Sequence, residues 1–280
     1  MYLVLAMASA AFYGAADFLG GLTSKRADSV AVVVVSQFSG LVLLALMLPF
    51  APEAKYTSTD LLWGAAAGIT GGSGVAILYH ALATGTMAVV APITAVCAVV
   101  IPVGVAVALG ERPNVLTLAG IALAVIAIVL LSRSDGSGER HHYVRSIALA
   151  LAAGIVIGLF YLCLARTGRD AGLWPLLVAR LVSVPFFGTF AVARHRSFVM
   201  SPRLAVIVAC CGALDMLANL LYQLAAHLGP LSAVVTLASL YPASTVVLAR
   251  VTLGERLTSS QAFGVACAMV AVVVIVGSTA

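Results

Sequence analysis

Charge is what this sequence has least of. Asp, Glu, Lys and Arg together make up 9% of its 280 residues, where a soluble domain carries about a quarter. No polar stretch is long enough to form a separate soluble domain. No glycine-rich phosphate loop is present, so ATP is not the expected power source. HExxH, a His pair at i and i+4, and a GxSxG-like nucleophile setting are all absent, which argues against an enzyme. The five cysteines, Cys97, Cys163, Cys210, Cys211 and Cys267, make no CxxC pair and fall inside apolar runs. They read as small apolar fillers, and neither a disulfide, a metal nor a cofactor is implied.

What is abundant is hydrocarbon, with 62% hydrophobic residues. Ten apolar runs recur, with approximate bounds 2–22, 30–50, 60–82, 87–108, 114–132, 146–165, 172–192, 204–225, 231–252 and 258–278. About 20 residues at 1.5 Å per residue cross roughly 30 Å of hydrocarbon. The expected class is therefore an all-α integral membrane protein with ten transmembrane helices. The first run has no basic residues ahead of it, and Lys25 and Arg26 follow it; it reads as a retained helix and not a signal peptide. A net charge of +5 in such a chain reflects residues flanking the spans, and no nucleic-acid partner is expected.

The sequence repeats. LGER occurs at Leu109–Arg112 and again at Leu253–Arg256, 144 positions later. The same ungapped offset aligns Gly14 with Gly158, Gly68 with Gly212, Gly85 with Gly229 and Gly120 with Gly264. Five spans per copy is an odd number, so the second copy starts on the opposite side of the membrane and is inverted. Residues 1–132 form the first five-helix repeat, 133–145 a linker, and 146–280 the second repeat. His141 and His142 read as solvated linker residues. Inverted repeats are characteristic of secondary transporters, with the substrate held near the midplane.

Specific residues carry a resemblance. YGAADF at Tyr13–Phe18, LYHALATG at Leu78–Gly85, and the two LGER stretches at matched positions resemble the EamA branch of the drug/metabolite transporter superfamily. YQLAAHLG, Tyr241-Pro242 and LGERLTSSQAFG continue the scheme in the second half. Tyr13 departs from the family, where Trp is common at this place, and Pro92 and Pro242 are not equivalent positions. The resemblance implies a ten-helix carrier of small metabolites or drugs, usually exporting them. It marks Glu111, Arg112, Glu255 and Arg256 as signature residues, whose place at span ends points to a structural role.

Ionisable groups at bilayer depth are costly and read as functional by default. Asp17, Arg180 and Asp215 stand out. An unpaired charge there is very unfavourable, so Arg180 and Asp215, near the middle of adjacent spans, are expected to pair; such a pair serves either a charged substrate or merely the pinning of two helices. Asp215, Asn219, Tyr222 and Gln223 fall within about 100° of one helix face. Their repeat partners are Gly71, Val75, Leu78 and Tyr79, so the polar stripe belongs almost wholly to the second half. Arg180, Asp215, Asn219, Tyr222, Gln223, Tyr79 and Tyr241 are the candidate substrate-binding residues. Asp17, with Tyr13 and Gly21 on its face, is a candidate proton carrier, since burial penalises the charged form; a hydrogen bond to a neighbouring helix or snorkelling are the rival readings. His80 is a second proton candidate or an interfacial histidine. Pro92, Pro102 and Pro242 each remove a helical hydrogen bond and free a carbonyl. Gly64, Gly68 and Gly72 form a small-xxx-small ladder suited to close packing.

Ten Lys and Arg flank one side (Lys25, Arg26, Arg133, Arg140, Arg145, Arg194, Arg196, Arg203, Arg250, Arg256) and four the other (Lys55, Arg112, Arg166, Arg169). The positive-inside rule then places the linker in the cytoplasm and both termini outside. The expected function is secondary transport of amino acids or drug-like solutes by alternating access in the plasma membrane, with proton coupling. An intramembrane enzyme and a non-transporting structural subunit are the alternatives.

Overall fold

The computed structural model describes the chain except residues 52, 109–113, 132–139, 230–233, 235–236, 239 and 280; at 103, 106–107, 140–142, 169, 226–227 and 279 it describes the backbone alone. Among the described residues there are ten α-helices and no strand. They are α1 (Tyr2–Ser24), α2 (Ser29–Met47), α3 (Ser58–Thr84), α4 (Met87–Ala108), α5 (Val115–Leu131), α6 (Arg140–Ala165), α7 (Trp174–Ala193), α8 (Pro202–Leu228), α9 (Tyr241–Leu253) and α10 (Ser259–Thr279). Seven contain stretches long and apolar enough to cross a membrane: α1, α2, α3, α6, α7, α8 and α10. Met87–Pro102 and Val115–Leu131 are shorter apolar helices. The protein is thus a multi-pass membrane protein, with fewer full-length spans among the described residues than the ten apolar runs suggest.

Two local details differ from the sequence reading. Arg140–Arg145, taken as linker, form the first turns of α6. Pro242 lies in the first turn of α9; there its missing N–H is one the helix could not have used. Pro92 and Pro102 do sit inside α4.

Helix starts are written locally. The Asp28 side chain accepts from Val30 N at the head of α2. Thr57 and Asp60 cap α3 reciprocally. Asn114 accepts from Thr117 N before α5, and 144 positions on, Thr258 and Gln261 exchange the same service before α10. Each satisfies backbone donors that the first turn leaves orphaned. Gly254, after α9, has φ +66, a left-handed stop that favours glycine.

The helices pack as exchanged pairs: α1 on α8 and α6 on α3, α2 on α8 and α7 on α3, α9 on α1 and α4 on α6, with α5 against α10. Glycine contacts give the rule residue by residue. Gly85 lies against Ser146, and Gly229 against Tyr2; Gly120 against Ile275, and Gly264 against Leu131; Gly14 against Thr245, and Gly158 against Ile101. In every case each half supplies the other's partner at the offset of 144. That exchange is the signature of a two-fold relation between the halves.

Glu255 of the second LGER holds two elements together. Its Oε1 and Oε2 accept from Met87 N (3.0 Å) and Ala88 N (2.9 Å), so one carboxylate spans the first turn of α4 from the chain after α9. Charge-assisted bonds of this kind are worth about 1.5–3 kcal/mol each, less where water competes. Glu255→Gln is expected to lower the unfolding temperature in detergent by several degrees; an unchanged value would remove the capping role. Glu111 and Arg112 lie outside the described residues.

Candidate functional site

Arg180 projects from α7 toward α2 and α8. It pairs with the Asp215 carboxylate of α8 and donates to Gln37 Oε1 of α2. Ser183, one turn further along α7, also donates to Gln37 Oε1 at 3.1 Å. The approach depends on glycine. A Cβ on Gly40 would stand 3.2 Å from Gly212 O and 3.8 Å from Arg180 Nε; one on Gly212 would stand 1.9 Å from Ser36 O. With no side chain at either position, α2 and α8 close to backbone contact and leave a lane for the guanidinium.

The pair is neither dry nor fully wet. The side chains of Arg180 and Asp215 are 13% and 26% exposed, whereas Gln37 is buried. Tyr13, Asp17 and Tyr161 lie close enough to interact electrostatically with Asp215, and Tyr222 lies close to Tyr13 and Tyr161. Tyr161 of α6, which neighbours these groups, is 43% exposed. Tyr13 meets Tyr241 edge-on with ring centroids 6.3 Å apart, and Tyr241 interacts with Tyr161 and Asp17. Asp17 has no hydrogen-bond or ion-pair partner among the described residues.

The polar stripe of α8 divides. Asp215 faces Arg180. Asn219 turns its Nδ2 back to the Asp215 carbonyl at 2.8 Å. Gln223 Nε2 donates to Gly172 O at 2.9 Å in the turn between α6 and α7. Tyr222 packs against the small buried cluster of Ala6, Ala225 and Val234. Tyr79 stands apart: it is buried, its hydroxyl meets Cys211 Sγ at 3.2 Å, and Cys211 in turn donates to Ala16 O. His80 lies in the last turns of α3, where its carbonyl accepts from Thr84, and no described interaction links its ring to the Arg180 group. Gln37, Ser183 and Tyr161 were not picked out from the sequence. Gln37 carried a signal, as an amide inside VVVVSQFSG.

The two halves are not in the same arrangement. α1 packs on α3, yet their counterparts α6 and α8 make no comparable contact among the described residues. Glycine explains the first: a Cβ at Gly20 would be 2.2 Å from Tyr79 Cζ, and one at Gly21 2.5 Å from Leu82 Cβ. The matching positions in α6 are Leu164 and Ala165, whose side chains forbid the same approach.

A family model described as the EamA-like transporter family matches residues 1–133 and 144–277. No curated protein matches the chain. One solved crystal structure, described only as a protein, superposes with a TM-score of 0.58 at 16% identity, covering 95% of this chain and 97% of its own. That likeness concerns the fold alone.

Proposed function

Because the chain belongs to the EamA-like transporter family, we propose that it is a secondary active carrier, built as ten membrane-crossing helices in two inverted repeats. It exports small zwitterionic metabolites such as amino acids across the plasma membrane. The observation that carries this reading is the part-exposed Arg180–Asp215 pair with Gln37 beside it. A zwitterion offers a carboxylate to the guanidinium and an ammonium to the carboxylate. It can therefore exchange one internal pair for two external ones without stranding a charge, and bidentate Arg–carboxylate geometry adds direction. Tyr13, Tyr161, Tyr222 and Tyr241 supply hydroxyls and ring faces around it.

Alternating access is supported by the unequal halves. The ends of α1 and α3 are drawn together at Gly20 and Gly21, while α6 and α8 stand apart. The closed end carries Lys25 and Arg26, the side that the positive-inside rule assigns to the cytoplasm; this arrangement is then open outward. Asp17, without a cation partner and close to Asp215, is the proton carrier: its protonation relieves repulsion at the site, and proton and substrate alternate.

The test is uptake by proteoliposomes across a panel of amino acids and cationic drug-like solutes, with and without an imposed pH gradient. At least one zwitterion is expected to accumulate above protein-free vesicles and to be released by a protonophore. Asp17→Asn is expected to keep gradient-free exchange but lose the response to pH. If no zwitterion moves, or if the Asn variant still concentrates substrate, the corresponding half of the reading fails.

A further inference from the structure

We propose that the turns joining α1 to α2 and α7 to α8 form a binding site for an anionic glycerophospholipid, its phosphate held by Lys25 and Arg26 and one acyl chain laid along a groove on α7. Between these turns is a cavity of about 410 Å³ lined by Lys25, Arg26, Ala27, Asp28, Ser197 and Val199. Its only acid is already engaged: Asp28 Oδ1 accepts from Val30 N at 2.9 Å and Oδ2 from Arg196 at 3.0 Å. Lys25 and Arg26 are exposed and have no acidic partner among the described residues. The cavity thus keeps two uncompensated positive charges at the ends of membrane-spanning helices.

A second cavity, of about 480 Å³, follows the chain toward the first. Pro185, Gly188, Thr189, Val192 and Ala193 line it along one face of α7. Thr189 bonds its hydroxyl back to Pro185 O and Phe186 O, so the groove asks for no polar partner. Gly188 leaves it open, since a Cβ there would meet nothing within 4 Å. The groove ends where Arg194 begins, its guanidinium 5.8 Å from the centre of the Phe190 ring, and Val192 and Val199 are strongly exposed. Cations at the head of an apolar trough match the shape and polarity of a lipid.

The opposite face shows what the same pair of turns looks like when protein fills it. There the α2–α3 and α6–α7 turns, equivalent by the offset of 144, are sealed. Asp60 Oδ1 accepts from Gly168 N at 2.6 Å, Lys55 N donates to Asp170 O, and Tyr56 stacks on Trp174 with ring centroids 4.5 Å apart. At the Lys25 end Leu204 replaces Asp60 and Ser24 replaces Gly168. The buried Ser24 hydroxyl has no hydrogen-bond partner among the described residues. The turn pair that lacks its internal carboxylate is the one beside which the cations gather.

Native mass spectrometry and thermal unfolding of the detergent-purified full chain test this with phosphatidylglycerol, phosphatidylcholine and inorganic phosphate as separate probes. Phosphatidylglycerol is expected to remain bound and raise the unfolding temperature, and the other two to do neither. One basic residue near an anionic surface contributes about 1 kcal/mol, a factor of about five in affinity. The Lys25→Gln/Arg26→Gln chain should therefore bind phosphatidylglycerol about thirtyfold more weakly. Gly188→Leu, far from the cations, should weaken the intact lipid several-fold and leave binding of its deacylated headgroup unchanged. Equal effects from phosphatidylcholine, or from phosphate alone, overturn the proposal. So does undiminished phosphatidylglycerol binding by the double variant, provided that both variants unfold like the parent without lipid.

Discussion

Arg180→Leu is expected to abolish transport in proteoliposomes and to destabilise the protein at the same time. Removing one partner of a buried pair typically costs about 3–5 kcal/mol, because the other charge is left without compensation. Here the side chains are 13% and 26% exposed, so water softens the loss and the lower end applies. Gln37 loses its guanidinium donor too, although Ser183 still reaches it. The informative experiment adds Asp215→Leu. Two leucines replace two charges with apolar volume, which is often neutral or stabilising, so the double variant should unfold close to the parent temperature. It should nevertheless carry no substrate. If the double variant recovers transport along with stability, the pair pins helices and does not bind solute.

The second large effect is expected at Gly212. Alanine there would push its Cβ to 1.9 Å from Ser36 O and 2.8 Å from Ser36 Cα, atoms of backbone that cannot rotate aside. Overpacking commonly costs about 1–3 kcal/mol, and contact with backbone places Gly212→Ala at or above that range; Gly212→Leu should yield little folded protein. The damage is directional. Forcing α2 from α8 separates Gln37 from Arg180 and Asp215, so alanine should lower substrate affinity at temperatures where the variant is still folded. Size-exclusion profiles, unfolding temperature and substrate-induced stabilisation measure this together. Gly188→Ala, where a Cβ meets nothing, is the matched control and should change none of the three.

The pair itself was legible in the sequence. Arg180 and Asp215 lie mid-span in a chain where an isolated charge is untenable, and each was the other's nearest opposite charge at that depth. Gln37 was harder to see, since a neutral amide costs much less to bury and so announces itself less. The stripe of α8 was legible as a direction and not as a set of partners. Helical periodicity puts Asp215, Asn219, Tyr222 and Gln223 on one face, but it does not say that Asn219 satisfies itself on its own helix or that Gln223 reaches Gly172. Tyr79 looked like a fifth member because it aligns with Gln223 at the offset of 144. The structure instead buries it on Gly20 and gives its hydroxyl to Cys211, a contact between α1, α3 and α8 that no one-dimensional pattern contains.

By itself the sequence determined the membrane class, the caps that begin several of the helices, and the doubling of the chain. All three rest on local information: apolar run length against bilayer thickness, side chains that cap their own first turn, and identity at a constant offset. The tertiary structure alone decided how the two copies depart from one another. α1 closes on α3 because Gly20 and Gly21 admit Tyr79 and Leu82, while Leu164 and Ala165 stand at the matching places of α6. It also decided that Gly40 and Gly212 bring α2 and α8 near enough for three helices to share one guanidinium. The distance between two helices is set by every side chain between them at once, and that sum exists only when the helices are packed.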